Sequence, residues 1–548
     1  MVQKSLEVNV DEAWRNALAA WSSPTVPRVI APRNSEERKN LGEIGSALEG
    51  ELAFMKYPEF QTYLNLEKIV ATFSEDPQRG VRAVTTHEIG HRFCPYDTIT
   101  SIILNHSITK ALESITKALE RQTLPYDAKA AAGNILNLFA DMCLNTRLSR
   151  NGNEDIPWAY ERISRDKKDK RMWRVYGHSM ELAWNKKLLP KDATLKDDEK
   201  KAAGELADLF KGGDFFNRNN WRNNSAQYAT IIAPFLESEE GDEDSGIDKT
   251  PRQNLPKNID EKTAQELAKR LAEIGSNGLP QNAHGLEEFQ GIMAGFGQGD
   301  PKKASIQFYE MLSRSYDVTF AGKPFGRPRT SPFQPIRWTP SMGTERLDID
   351  YSVQGTGRIL PGVGTYSWNS RSRQRHGGEE EVVPDLDIYM DSSLSMPDPC
   401  KTISLPVLAG FVAAKKAHRK GARIRATNFS AEGQVNTQDF TRDLPAVYDV
   451  LVTHYNGGTV FPNDTLLAGQ DPKQVVVVTD TFLGNEVETA DAVRTLRQRH
   501  RGNRVTIYEI HSGQHGNYLR NAGAEVIAGN NTDIFRRVIG KANEVYTK

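Results

Sequence analysis

From residue 385 onward, short strand-type runs alternate with longer amphipathic runs, and that alternation limits what the C-terminal third of this 548-residue chain can fold into. Strand-like segments at 386–390, 423–429, 475–478, 504–510 and 525–528 are separated by helical patterns at 405–418, 444–452 and 487–499, and a last helical pattern at 533–546 closes the chain. A strand reached through a helix has the length of chain needed to return parallel to its predecessor, with the helices covering both faces of the sheet. The expected fold here is therefore a mostly parallel, doubly wound, Rossmann-like α/β sheet. Such sheets bind ligands outside the carboxyl ends of their strands.

Those strand ends carry oxygen-bearing side chains. Residues 385–395 read DLDIYMDSSLS, a strand running into Asp391, Ser393 and Ser395. The buried-type strand at 475–478 ends in Thr479-Asp480, and Asn456-Gly457-Gly458-Thr459 supplies a glycine-flanked threonine. A D-x-S-x-S pattern arises by accident in roughly one chain in seven, so the weight rests on its position at the end of a strand and on the other two segments. Hydroxyls and carboxylates are hard oxygen ligands suited to magnesium, which keeps octahedral geometry and usually retains waters.

Together these segments resemble a von Willebrand factor A (VWA) domain over residues 381–548. The metal-ion-dependent adhesion site of that family matches Asp391, Ser393 and Ser395 in a first loop, Thr459 in a second and Asp480 in a third. The resemblance implies a bound Mg2+ with one coordination position open to a carboxylate from a partner protein. Leu394 stands where the family often has glycine, which changes the loop but none of the ligands.

Nearer the N-terminus, His87-Glu88-Ile89-Gly90-His91 spells a second kind of site. Residues four apart on a helix lie above one another, so His87 and His91 can aim two imidazoles at one metal ion. Glu88 sits one step around the helix, within reach of a metal-bound water. Two histidines and one further protein ligand leave zinc an open fourth position, and zinc lowers the pKa of water bound there toward neutrality. The pattern arises by chance in roughly one chain of this size in a hundred. Asp76-Pro77 reads as an N-cap with proline at the first helical position, and Pro95 as the stop, giving a helix of about seventeen residues with the motif in its last turns. Gly90 costs about 1 kcal/mol relative to alanine inside a helix, which suggests another backbone passing close by.

The third ligand must come from elsewhere. Residues 132–148, AGNILNLFADMCLNTRL, show a helical apolar pattern through Ile135, Leu138, Phe139, Met142 and Leu148. Asp141 falls within it, where an unpaired carboxylate is costly to bury and a metal would remove that cost. Asp141 is thus the first choice, with a bond to a neighbouring backbone group or to Arg147 as its ordinary alternative. His106, Asp97, Glu154 and Asp155 are less well placed. Asn145, on the same face, could orient the aspartate or a substrate.

Composition sets the outer limits. At this length two to four domains are expected. Lys plus Arg number 70 against 71 for Asp plus Glu, so no global field draws the chain to nucleic acid or membrane. Three cysteines, Cys94, Cys143 and Cys400, are too few and scattered for a disulfide framework or a thiolate zinc site. Without a signal pattern or long apolar span, a cytoplasmic location is expected. Two identical SITKALE heptads at 107–120 place Ile108, Leu112, Ile115 and Leu119 on one stripe, read as a packed helix, with a coiled-coil seam as the alternative. The acidic run at 237–248 reads as a solvated linker followed by a helix at 264–274. Residues 322–376, rich in Pro, Gly, Arg and aromatics, read as an extended connector whose arginines pair with acids; single-stranded nucleic acid is the weaker reading.

The HEIGH motif, the downstream ADMCLN helix, the Trp338-Thr339-Pro340 connector with Asp348 and Asp350, and the LDIYMDSSLSMPDP strand also resemble, as a set, the prokaryotic metallopeptidases with a C-terminal VWA-like domain. That resemblance implies a multidomain chain: a mainly α, zincin-like metallopeptidase domain at 1–236, an acidic linker at 237–260, a helical segment at 261–320, a β connector at 321–380 and the VWA domain at 381–548. It implies Zn2+ held by His87, His91 and Asp141, with Glu88 as catalytic base. It implies a MoxR-type AAA+ ATPase as partner; this chain has no G-x-x-x-x-G-K-[ST] loop of its own. A non-catalytic adaptor coupling such an ATPase to a client protein is the competing expectation.

Overall fold

Helix signals dominate up to residue 320 and strand–helix alternation dominates after 385, and the computed structural model divides the chain accordingly into two units, Met1–Ala304 and Ser305–Lys548. The structure describes residues 8–21, 27–56, 59–94, 97–118, 127–212, 215, 217–236, 255–273, 284–320, 336–339, 347–348, 366–367, 383–469, 472–480, 483–510 and 517–546. The whole of the acidic run at 237–248, most of the connector, and the closing residues of the second heptad lie outside them. Among the described residues no helix is long and apolar enough to cross a membrane.

Among its described residues, unit one is helical apart from one hairpin and the connecting segments. Its elements are α1 (Val10–Trp21), α2 (Ser35–Lys39), α3 (Glu43–Glu49), β1 (Ala53–Lys56), β2 (Gln61–Leu64), α4 (Leu66–Thr72), α5 (Pro77–Gly90), α6 (Thr98–Ala118), α7 (Ala128–Arg150), α8 (Asp155–Asp166), α9 (Arg171–Trp184), α10 (Asp197–Lys211), α11 (Trp221–Ile232), α12 (Glu261–Glu273) and α13 (Gly285–Gly295). Over its described residues, 107–118, the SITKALE repeat is a packed helix: α6 lies against α7 and α11, with Ile108 and Leu112 fully buried. At the centre runs α7, apolar nearly all round, with Ile135, Leu136, Leu138, Phe139, Met142, Cys143, Leu144 and Leu148 in the core. A helix apolar on every side belongs in an interior. The fully buried exceptions, Asn137, Asp141, Asn145 and Thr146, therefore mark where that interior is polar.

The HEIGH helix begins as its sequence dictates. Asp76 caps α5 by accepting from the Arg79 amide at 3.0 Å, and Pro77 fills the first turn, where its missing N–H costs nothing. It ends earlier than expected, after fourteen residues, with His91 as C-cap. The His91 amide bonds back to Glu88 O and the Phe93 amide to Gly90 O, tightening the last turn; Pro95, the expected stop, lies outside the described residues. Because His91 keeps right-handed helical angles (φ −62°, ψ −13°), the one-turn spacing of the two histidines survives.

In unit two, α14 (Pro301–Phe320) enters from the boundary, and β3 (Ile336–Arg337), β4 (Leu347–Asp348) and β5 (Tyr366–Ser367) form a small antiparallel sheet in the order β3-β5-β4. Then follow β6 (Asp385–Asp391), α15 (Leu405–Arg419), β7 (Ile424–Phe429), β8 (Val435–Thr441), α16 (Leu444–Leu451), α17 (Asn463–Leu467), β9 (Lys473–Thr479), α18 (Glu486–Arg499), β10 (Arg504–Ile510), α19 (Asn517–Asn521), β11 (Glu525–Gly529) and α20 (Asn531–Tyr546). The six-stranded sheet runs β11-β10-β9-β6-β7-β8, parallel except for β8. From β6 the chain moves toward β7, and from β9 it moves the other way toward β10. The order therefore reverses between β6 and β9, and a crevice opens at their carboxyl ends.

Candidate metal centres

In unit one, α5 and α7 present His87, His91 and Asp141 to one another with every one of the three fully buried. His87 Nε2 lies 3.4 Å and His91 Nε2 3.6 Å from the same Asp141 oxygen, and the ligand atoms of all three lie within 4.8 Å of one another. Tetrahedral ligands about 2.0–2.1 Å from a zinc ion sit about 3.3 Å apart, close to the two His–Asp141 separations, so the group could hold a metal ion. They are longer than a good hydrogen bond.

The far side of each ring fixes which nitrogen is available. His91 Nδ1 lies 3.0 Å from Cys94 O, a group that only accepts, so Nδ1 carries the proton. His87 Nδ1 lies 2.9 Å from Asn145 Oδ1, whose amide nitrogen in turn donates to the Tyr160 hydroxyl at 2.8 Å. Both rings thus turn Nε2 toward the Asp141 carboxylate. A cation held between the two Nε2 atoms and the carboxylate would suit all three groups in this buried interior. Glu88, beside His87 on α5, is also fully buried.

The surroundings answer the remaining expectations. No backbone approaches Gly90; an indole does. A Cβ there would stand 2.6 Å from Trp21 Cζ2, and Trp21 is pinned by its Nε1–H bond to Thr86 O (2.7 Å) and by stacking on Phe93. Arg147 lies over the Trp21 and Phe93 rings. Asn145 orients His87, not the aspartate. The other candidate ligands are elsewhere: Asp97 pairs with Arg270, Glu154 with Lys186, Asp155 with Arg79 and Arg82, and His106 packs against Gly291. Cys94 and Cys143 are buried free thiols, and burial pushes the Cys143 thiol up. Three fully buried tyrosines, Tyr160, Tyr176 and Tyr228, line the same interior. Burial raises the pKa of Tyr176 and Tyr228, and the charge of Asp141 adds to the shift. None of the three is signalled by a motif.

In unit two, the crevice between β6 and β9 holds the second group. Asp391 ends β6, nearly buried, with Oδ1 accepting from the Ser393 amide (2.8 Å) and Oδ2 from the Thr479 hydroxyl (2.6 Å). Ser393 and Ser395 hydroxyls lie 3.4 Å apart, and Ser395 Oγ donates to Asp480 Oδ1 at 3.1 Å. Burial first, and the Asp480 charge among the lesser causes, hold Asp391 up at about 6. Two carboxylates and two hydroxyls thereby converge as a hard-oxygen set.

Thr459 arrives on a loop sewn to the first one. Gly457 bridges to Ser393, its carbonyl accepts from the Leu394 amide (3.0 Å), and the Asn456 amide donates to Ser392 O (2.9 Å). Asn456 takes a left-handed φ of 62°, a conformation asparagine tolerates. A Cβ at Gly457 would crowd Gln434 Oε1 and Ser430 Oγ, so those side chains would have to shift for any larger residue. Two residues outside the motif hold the loops. Thr479 secures Asp391, and Ser392 ties the first loop to β7 through Asn428 Oδ1 (2.6 Å). Leu394, at 71% exposure, projects from the same loop.

No family model and no curated protein matches this sequence.

Proposed function

We propose that this chain is a zinc-dependent metallopeptidase of the HExxH type, regulated or targeted through a VWA-type domain and working in the cytoplasm beside a MoxR-type AAA+ ATPase. The observation that carries the reading is the convergence of His87, His91 and Asp141, whose ligand atoms lie within 4.8 Å of one another, with Glu88 one residue from His87. A zinc ion with three protein ligands supplies a Lewis acid and a bound water acidified toward neutrality. Glu88 would serve as the general base and then as the proton donor to the leaving amine. Asn145 and the Cys94 carbonyl hold the two imidazoles with their Nε2 lone pairs inward. In unit two, Asp391, Ser393, Ser395, Thr459 and Asp480 would hold Mg2+, and a partner's carboxylate would complete its coordination.

One observation favours the adaptor reading, in which the first metal is structural and unit two couples an ATPase to a client. His87, Glu88, His91 and Asp141 have no solvent exposure. A peptide would reach them only after the helices part, work an ATPase partner could supply.

The deciding measurement is zinc content and peptide hydrolysis for wild type and Glu88→Gln, with and without the ATPase. Stoichiometric zinc in both, with hydrolysis in the wild type alone, supports the peptidase. Zinc in both with hydrolysis in neither, ATPase present, leaves the adaptor.

A further inference from the structure

His87 reaches a side chain that no motif contains. Tyr160, on α8, is fully buried and accepts from Asn145 Nδ2 at 2.8 Å, while Asn145 Oδ1 faces His87 Nδ1 at 2.9 Å. The tyrosine ring has little freedom: it lies parallel to Trp173 (centroids 6.3 Å, 5°) and meets Trp184 edge-on (5.9 Å, 87°). Both indoles are themselves tied, Trp173 Nε1 to Ser164 Oγ (3.2 Å) and Trp184 Nε1 to Thr146 Oγ1 (2.9 Å), the latter beside Asn145 on α7.

The chemistry of an amide makes this arrangement directional. His87 offers a lone pair to a metal from Nε2 only if Nδ1 carries the proton, and Nδ1–H needs an acceptor. Asn145 supplies one with its oxygen, which turns its NH2 group the other way, into the interior. A buried N–H with no acceptor is costly, more so than a buried carbonyl, so an unsupported Asn145 would favour the reverse orientation. Reversed, the amide would donate to Nδ1 and put the imidazole proton on Nε2, where it blocks the metal.

We propose that Tyr160 is a positioning residue for the metal centre: by accepting from Asn145 it keeps that amide, and through it the His87 tautomer, in the metal-binding state. This rests on the metal-centre reading given above, though not on catalysis.

The test measures Zn2+ affinity by competition with a chromophoric chelator and the visible spectrum of the Co2+-loaded protein. The variants are Tyr160→Phe, Asn145→Asp, Asn145→Leu and the Tyr160→Phe/Asn145→Asp pair. Tyr160→Phe is expected to weaken Zn2+ binding about tenfold and shift the Co2+ bands, and Asn145→Leu to weaken it at least as much. An aspartate has no N–H to satisfy and no wrong orientation, so adding Tyr160→Phe to Asn145→Asp should leave affinity where Asn145→Asp set it. Wild-type affinity and spectrum in Tyr160→Phe, or an equal loss in both backgrounds, overturns the proposal. Should Tyr160→Phe fail to fold, undiminished binding by Asn145→Leu overturns it instead. A wild type that takes up neither Zn2+ nor Co2+ sinks the metal centre itself, and that failure is distinct from the others.

Discussion

Asp141 could be found from sequence because a carboxylate among Leu138, Phe139 and Met142 is an energetic contradiction that a cation resolves. The partner of Asn145 could not, because Tyr160 lies on another helix and nothing local points to it. Gly90 falls between these cases. Its helix penalty announces a close approach, but only the structure shows that Trp21, from far earlier in the chain, makes it. Gly90→Ala sets a gain of about 1 kcal/mol in helix propensity against overpacking of about 1–3 kcal/mol. Trp21 cannot yield cheaply, since its N–H is bonded to Thr86 O and its ring stacks on Phe93. The expected result is a lower urea midpoint together with weaker zinc binding, because His91 follows Gly90 directly. A more stable Gly90→Ala protein would refute this account of the glycine.

At the scale of elements, the segments with strong periodicity were legible and the short or solvated ones were not. The strands and helices expected at 386–390, 405–418, 423–429, 444–452, 475–478, 487–499, 504–510, 525–528 and 533–546 are all present within a few residues. The hairpin of β1 and β2 escaped because four residues per strand are too few to show alternation, and β8 because its VNTQDFT is a half-solvated edge with little apolar content. Packing of α6 against its neighbours carries a pH signature of its own. Burial first, then Lys110 and Arg222, holds His106 down at about 4, with Glu287 opposing. The folded state therefore binds fewer protons than the unfolded one between about 4 and 6.5, so this contribution is complete above pH 6.5 and is lost as pH falls toward 4. Glu288 on α13, raised by burial, acts in the opposite sense. Urea midpoints at pH 7.5 and 5.0 for wild type and His106→Gln separate the two effects. The drop on acidification should be smaller in the variant, and equal drops would show that His106 is not the group responsible.

Over the whole molecule, two motifs built from different ligand chemistries fall in two separate units, imidazole and carboxylate in the first, hydroxyl and carboxylate in the second. The sequence showed both motifs because each is local to one or two elements. Burial of the first centre depends on helices from the whole of unit one, and no local pattern carries that information. On the proposed reading the two chemistries would select different ions, since imidazole suits zinc among other transition metals and hard oxygens suit magnesium. A cation that binds only the folded form stabilises it by about 2.7 kcal/mol at a hundred times its Kd. For units of this size each kcal/mol moves the melting point by about 2–4 °C, so each ion should shift a transition by at least about 5 °C. In scanning calorimetry a zinc-selective chelator should lower one transition and leave the other in place, and added Mg2+ should raise only the one that the chelator spared. Asp391→Ala should abolish the Mg2+ shift without touching the chelator shift, and Asp141→Ala the reverse. Both ions acting on one transition would mean that the hard-oxygen cluster and the histidine centre do not select their metals as their ligands require.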